Sequence, residues 1–339
     1  MASGRQEKMS AYERRAWDES ADRLNQGQRR APGFARRVTK ATASTAAKAW
    51  ANTPGHAALE DQVRRALEGL AAVTLQPAMN SVNLARVCKR LGVVKLSEVR
   101  DLDLEHLDQA LPLTRGLYTM VALLEGSVTA VAVTGAEVAA TVSAGATVVV
   151  AAGAIAADTV ASIALMGRIV GRVAAQYGYD VRQPEEEAFA LGVISVGTAA
   201  TPAAKIAALA SLSRLTQQIM RRATWSQLNQ HALVNLIDHV FKALGFRLVK
   251  RRLGQAVPVL GVVLNGGMSA QMADSTLRDA RDVYRLRFLT DKYGLDPSAW
   301  TTATEPTVED NVLGSGLDAF SDGDPDVAVA EPEDEDGVA

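Results

Sequence analysis

The chain has a single cysteine, Cys88, in 339 residues. That excludes an internal disulfide and any metal centre built on several thiolates, and it suits a reducing compartment. Cys88 itself reads as a small, partly buried hydrophobe. Histidine is nearly as scarce: His56, His106, His231 and His239 are all there are. On a helix the spacing of His231 and His239 leaves them about 80° out of line. They do not share a metal-binding face, and no metal site is expected. Aromatics make up only 5% of the chain while 48% is hydrophobic, so the core must be built from Ala, Val, Leu and Gly. Small side chains of that kind suit helices packed closely on helices. Also missing are the phosphate-cradling loop G-x-x-x-x-G-K-[ST], the zinc pair H-E-x-x-H and the nucleophile elbow G-x-S-x-G. No catalytic residue is therefore assigned, and no cofactor is implied. The opening MASGRQEKMSAYERR lacks an apolar run, so no secretory signal is expected.

Charge is abundant but unevenly placed. The formal net charge is -2, yet residues 301–339 hold 12 Asp or Glu and no Lys or Arg, which leaves +10 for residues 1–300. The tail reads as a disordered acidic segment, because its Gly, Pro, Ser and Asp cannot build a core. Residues 1–9 are expected to be frayed, and 10–300 to form one all-α multi-helix bundle.

Within that bundle the helices announce themselves by their ends. Ser10 followed by Glu13 is a capping box ahead of SAYERRAWDESADRLNQ. A basic amphipathic helix follows, carrying Arg36, Arg37, Lys40 and Lys48. It suits anionic lipid headgroups, an acidic partner or plain solvent. No helix-turn-helix, RNA-binding or zinc motif accompanies the charge, so nucleic acid is not expected as a partner. Leu67, Leu70, Leu84 and Val87 are candidate core positions of the next two helices. Leu96, Val99 and Leu102 are spaced to dock a short helical turn. Pro184 followed by Glu185, Glu186 and Glu187 is a helix start. Ile206, Leu209, Leu212 and Leu215 form a buried stripe. Lys250, Arg251 and Arg252 are a second basic cluster. Pro258, Gly261, Gly266 and Gly267 mark an irregular or tightly packed segment, and a long helix from about Met268 to Tyr293 stops at Gly294.

The centre is the Gly/Ala/Val-rich stretch from Gly116 to Gly178. Between Glu137 and Asp158 lie 20 uncharged residues, long enough to span a bilayer but with one Ile and no Leu. A buried central helical hairpin is favoured over a membrane span or reversible insertion. Gly167-x-x-x-Gly171 is a small-residue packing pattern. The stretch is also echoed: Ala157-Asp158 and Tyr177-Gly178 recur, 116 residues on, as Ala273-Asp274 and Tyr293-Gly294. This is either a pseudo-repeat or a shared way of ending a helix.

Isolated ions are the candidate polar network. Glu125, Glu137 and Asp158 sit in apolar sequence, and a buried charge needs a partner. Cross-helix pairs of Glu137 or Asp158 with Arg168, Arg172 or Lys205 are expected. A structural salt bridge is the favoured role, ahead of a pocket for a headgroup or small ligand.

Several of these segments together resemble the EcsC protein family. They are YERRAW, RIVGRVAAQYGYD, EEEAFALGV, PVLGVVLNGG and YRLRFLTDKYG, in that order over roughly residues 10–296. The resemblance implies a bacterial helical protein linked by name to an ABC-transporter locus, without an established activity or catalytic set. The basic helices and the apolar centre lead to the expectation of a noncatalytic cytoplasmic protein at the inner face of the cell membrane, meeting an anionic surface or a membrane protein complex. An enzyme acting on a lipid or amphiphile, with Glu137 or Asp158 as acid or base, is the alternative. A soluble interaction scaffold is another.

Overall fold

A computed structural model describes residues 7–25, 74–111, 146–199, 201–221 and 265–301, with short pieces at 239–240 and 244–245. Among the described residues there are eight α-helices and no strand. They are α1 (Ala11–Asn25), α2 (Gln76–Asn80), α3 (Leu84–Leu91), α4 (Leu104–Ala110), α5 (Ala146–Gln176), α6 (Pro184–Gly197), α7 (Pro202–Arg221) and α8 (Asn265–Tyr293). Short 3-10 turns at Leu96–Asp101 and Pro297–Trp300 complete the set.

Local chemistry explains where these helices begin and end. The Ser10 hydroxyl accepts from the Glu13 amide at 3.1 Å, and the Glu13 carboxylate accepts from the Ser10 amide at 2.9 Å. That reciprocal box satisfies two amides that the first turn would otherwise leave orphaned. Asn83 caps α3 by accepting from the Arg86 amide at 2.9 Å. Pro184 stands in the first turn of α6, with three glutamates beside it at the positive end of the helix dipole.

The helix α5 stops at Gly178 (φ 86°) and α8 stops at Gly294 (φ 62°). Both stops use the same hydrogen bond: Tyr179 N–H to the Ala174 carbonyl, and Leu295 N–H to the Thr290 carbonyl, each 3.0 Å. The Tyr-Gly part of the echo therefore corresponds to a shared helix stop.

Two helices form the centre. Every residue of α6 from Glu186 to Val196 is buried, as is every residue of α8 from Asp282 to Thr290. The helix α8 packs against α1, α5 and α6, and α6 also packs against α5 and α7. A small aromatic cluster lies between them: Tyr284 meets Tyr179 at 5.6 Å and Phe189 at 5.3 Å, and Phe189 meets Trp300 at 6.4 Å. These four aromatics are buried here, where their area contributes most to stability.

The small-residue pattern on α5 also has a partner. A Cβ on Gly167 would meet Leu75 Cδ1 at 2.5 Å, and one on Gly171 would stand 3.0 Å from the Met79 carbonyl oxygen. The two glycines let α2 lie directly on α5. The stripe on α7 is buried as expected, with Leu209, Leu212 and Leu215 fully enclosed.

One boundary differs from the sequence reading. The helix α8 begins at Asn265, so Gly266 and Gly267 lie within its first turn and not in an irregular segment. No described helix is long and apolar enough to cross a membrane. The first arm of the central hairpin and the tail from 302 onward lie outside the described residues.

Candidate functional site

The ionisable groups of the bundle fall into two sets, those neutralised within the fold and those that are not. The first set is large. Asp108, at the end of α4, accepts from the Tyr12 hydroxyl at 2.8 Å and the Tyr177 hydroxyl at 2.6 Å. It also meets Arg285 on α8 at 2.6 Å, with Arg281 at 3.5 Å. Burial, with the charge of Asp108 added, pushes the Tyr177 hydroxyl well above its ordinary value, so it remains a donor. One turn before Arg285, Asp282 takes a two-pronged bond from Arg23 of α1 at 2.7 and 2.8 Å.

A second ionic centre joins α6 to α8. Arg287 donates to both oxygens of Glu186, at 2.7 and 2.5 Å. Its guanidinium also lies 4.3 Å from the Tyr179 ring centre and 4.0 Å from that of Phe189. Burial opposes the charge, but Glu186, Tyr179 and Asp291 outweigh it and hold Arg287 above its usual range. Paired, hydrogen-bonded ions of this kind tolerate burial and set helix register.

Glu187, next in sequence, is different. It is buried, one oxygen accepts from the Gln76 side-chain amide at 3.1 Å, and the other has no hydrogen-bond partner. Burial raises its carboxyl pKa and Gln76 offsets only part of that rise.

Within the second set, four cations stand together. Arg168 and Arg172 lie one turn apart on α5, Arg86 and Arg90 one turn apart on α3, and the two helices touch. Arg172 is partly buried. Burial, followed by the like charges of Arg90, Arg168 and Arg86, lowers its guanidinium pKa. None of the four arginines has an ion-pair partner among the described residues. Residues 74–97 and 159–179 contain no Asp or Glu, so neither helix supplies a partner from its own segment.

An open groove of about 440 Å³ lies at the other end of α3, lined by Asn80, Asn83, Leu84, Arg182 and neighbours, with no carboxylate. Among the described residues no group of His, Cys, Asp or Glu could hold a metal ion.

The residues singled out from sequence are distributed as follows. Lys205 meets Asp279 on α8 at 2.6 Å, a partner the sequence reading did not name. Arg168 and Arg172 join the cationic cluster. Asp158 lies on α5, but its side chain is not described. Glu125, Glu137, Arg36, Arg37, Lys40, Lys48, Lys250, Arg251 and Arg252 lie outside the described residues.

Sequence reasoning missed Asp108, Asp282, Arg285, Glu186 and Arg287. A signal existed for the α8 members. RDVYRLRFL interleaves apolar residues and ions on every side, so the helix has no polar face to give to water. A helix without such a face must bury its charges and supply their partners.

No curated protein and no solved structure gave a match to the chain. The sequence profile of the EcsC protein family matches residues 15–289, from α1 almost to the end of α8. The chain belongs to the EcsC protein family.

Proposed function

We propose that this protein is a noncatalytic, membrane-associated protein that docks through its basic faces on anionic lipid headgroups, as an accessory to a membrane complex. One observation carries the reading. The buried acids Asp108, Asp282, Glu186 and Glu13 are each held by cations inside the bundle, whereas Arg86, Arg90, Arg168 and Arg172 meet no acid among the described residues. Carboxylates locked in ion pairs are poorly placed to move protons for catalysis. Unneutralised arginines are well placed to meet an anionic surface, each contributing about 1 kcal/mol near the headgroups and less in salt.

The basic segments around Arg36 and Lys250 would add to the same attraction. Co-sedimentation with vesicles tests it. The protein should bind vesicles containing anionic lipid at low salt, release as salt rises, and ignore neutral vesicles. Absence of binding at low salt would remove the proposal.

A lipid-modifying enzyme is the second reading. Among the described residues Glu187 favours it, as a buried carboxylate with a raised pKa and no cation. It requires that substitution of Glu187 abolish a turnover detectable on phospholipid substrates.

A further inference from the structure

The arginine cluster is more specific than a basic surface. Arg86 and Arg90 flank the buried face of α3 formed by Val87 and Leu91. Arg168 and Arg172 flank Gly167 and Gly171, the two residues that bring α5 onto α2. Arg86 and Arg90 belong to α3, which also packs on α5, so the two arginine pairs lie on touching helices. Like charges held together repel, and the repulsion grows where solvent is excluded. Arg168 and Arg172 are partly buried, whereas Arg86 and Arg90 are exposed. Among the described residues the charges that act on Arg172 are those of Arg90, Arg168 and Arg86, all of the same sign.

The usual reasons to keep such a group do not cover it. Arg90 stands in the last turn of α3, where a cation suits the helix dipole. Arg168 and Arg172 lie in the interior of α5 and gain nothing of that kind. Elsewhere this fold pairs its enclosed arginines: Arg285 with Asp108 and Arg287 with Glu186. Arg172 is the partly buried arginine whose surroundings, among the described residues, are cationic.

We infer that Arg86, Arg90, Arg168 and Arg172 form a phosphate-binding site that takes a phosphate monoester dianion, from a lipid headgroup or from free phosphate. Two charges and three equivalent oxygens can take several guanidinium forks at once, which a carboxylate or a phosphodiester does less well. Bound phosphate relieves the repulsion among the four arginines. The site deepens the proposed membrane docking and rests on it only for the lipid as source of the phosphate.

The experiment uses the full chain, the variants R168Q/R172Q and R86Q/R90Q, and R14Q/R15Q, two exposed arginines of α1, as a basic control. Inorganic phosphate is titrated by calorimetry against sulfate-free, matched-ionic-strength chloride. In parallel, the protein is sedimented with vesicles of phosphatidate or phosphatidylglycerol adjusted to equal surface charge. The wild type should bind inorganic phosphate and prefer phosphatidate. Each arginine-pair variant should bind phosphate about tenfold or more weakly, while the control retains it. Both pair variants should be at least as thermally stable as the wild type, because a charge that only repels its neighbours is removed.

Phosphate binding lost in the pair variants, without any vesicle binding, would keep the site with free phosphate as its ligand and overturn membrane docking. Vesicle binding with no phosphatidate preference, unchanged in the pair variants, would overturn the site and keep membrane docking. Neither form of binding would overturn both.

Discussion

Asp108 and Arg285, 177 residues apart in sequence, meet at 2.6 Å in the buried interior, and the same carboxylate takes the hydroxyls of Tyr12 and Tyr177. One side chain thereby ties α4 to α1, α5 and α8. It is the point at which four helices agree on their register.

Removing that carboxylate should be severe. Asp108→Ala leaves Arg285 buried without its main partner and two hydroxyls without an acceptor, at about 3–5 kcal/mol. Urea unfolding should show the loss. The double variant D108L/R285M should recover much of it, because neither charge is then left alone. A double variant as unstable as the single one would show that the network contributes more than charge compensation.

Glu187 should make stability depend on pH. Its folded pKa is raised, so the fold holds a proton that the unfolded chain has already released. Stability therefore falls as pH rises from the ordinary carboxyl range through the raised value. Glu187→Gln should flatten that slope and favour the fold more at pH 7 than at pH 4.5. Unfolding midpoints measured across this range check it, and parallel curves for variant and wild type would contradict it.

Glu13 should act in the opposite sense. Burial works against its charge, but the Ser10 amide, the Tyr293 hydroxyl and Lys292 outweigh it, and its pKa is lowered from the ordinary 4.5. Its contribution is present above that value and is lost as pH falls through the lowered one. Glu13→Gln should cost on the order of 1–2 kcal/mol at pH 7 and little at strongly acid pH. Denaturation at both pH values tests this.

The two glycines of α5 should differ. An Ala at either position gains about 1 kcal/mol of helix propensity. At Gly167 the new methyl meets the end of the Leu75 side chain, which can rotate away; at Gly171 it meets the backbone of Met79, which cannot. Gly167→Ala should be close to neutral, and Gly171→Ala should cost about 1–3 kcal/mol from overpacking. Thermal midpoints of the two variants give the comparison.

The ends of the helices were legible because their chemistry is local. The Ser10–Glu13 box, Pro184 with its glutamates, and the glycine stops at Gly178 and Gly294 each act over a few residues, and each operates in the structure. The Gly167–Gly171 seam was also legible, although not its partner. The candidate network was less so. Isolation in apolar sequence drew attention to Glu125, Glu137 and Asp158, whose side chains are not described. Of the charges that the bundle does bury, Asp108 and Glu186 stand among other ions and look like surface, whereas Asp282 and Arg287 lie in a helix with no polar face.

By itself, then, the sequence determined an all-helical chain of the EcsC family, where several of its helices start and stop, and that residues 74–97 and 159–179 carry cations without acids. Tertiary structure decided which charges are neutralised. Glu13 finds Lys292 across 279 residues and Asp108 finds Arg285 across 177, while Arg172 is brought to Arg86 and Arg90. A helix end is set by hydrogen bonds that close within one turn. A charge partner is set by how whole helices dock, and that depends on the packing of every residue between them.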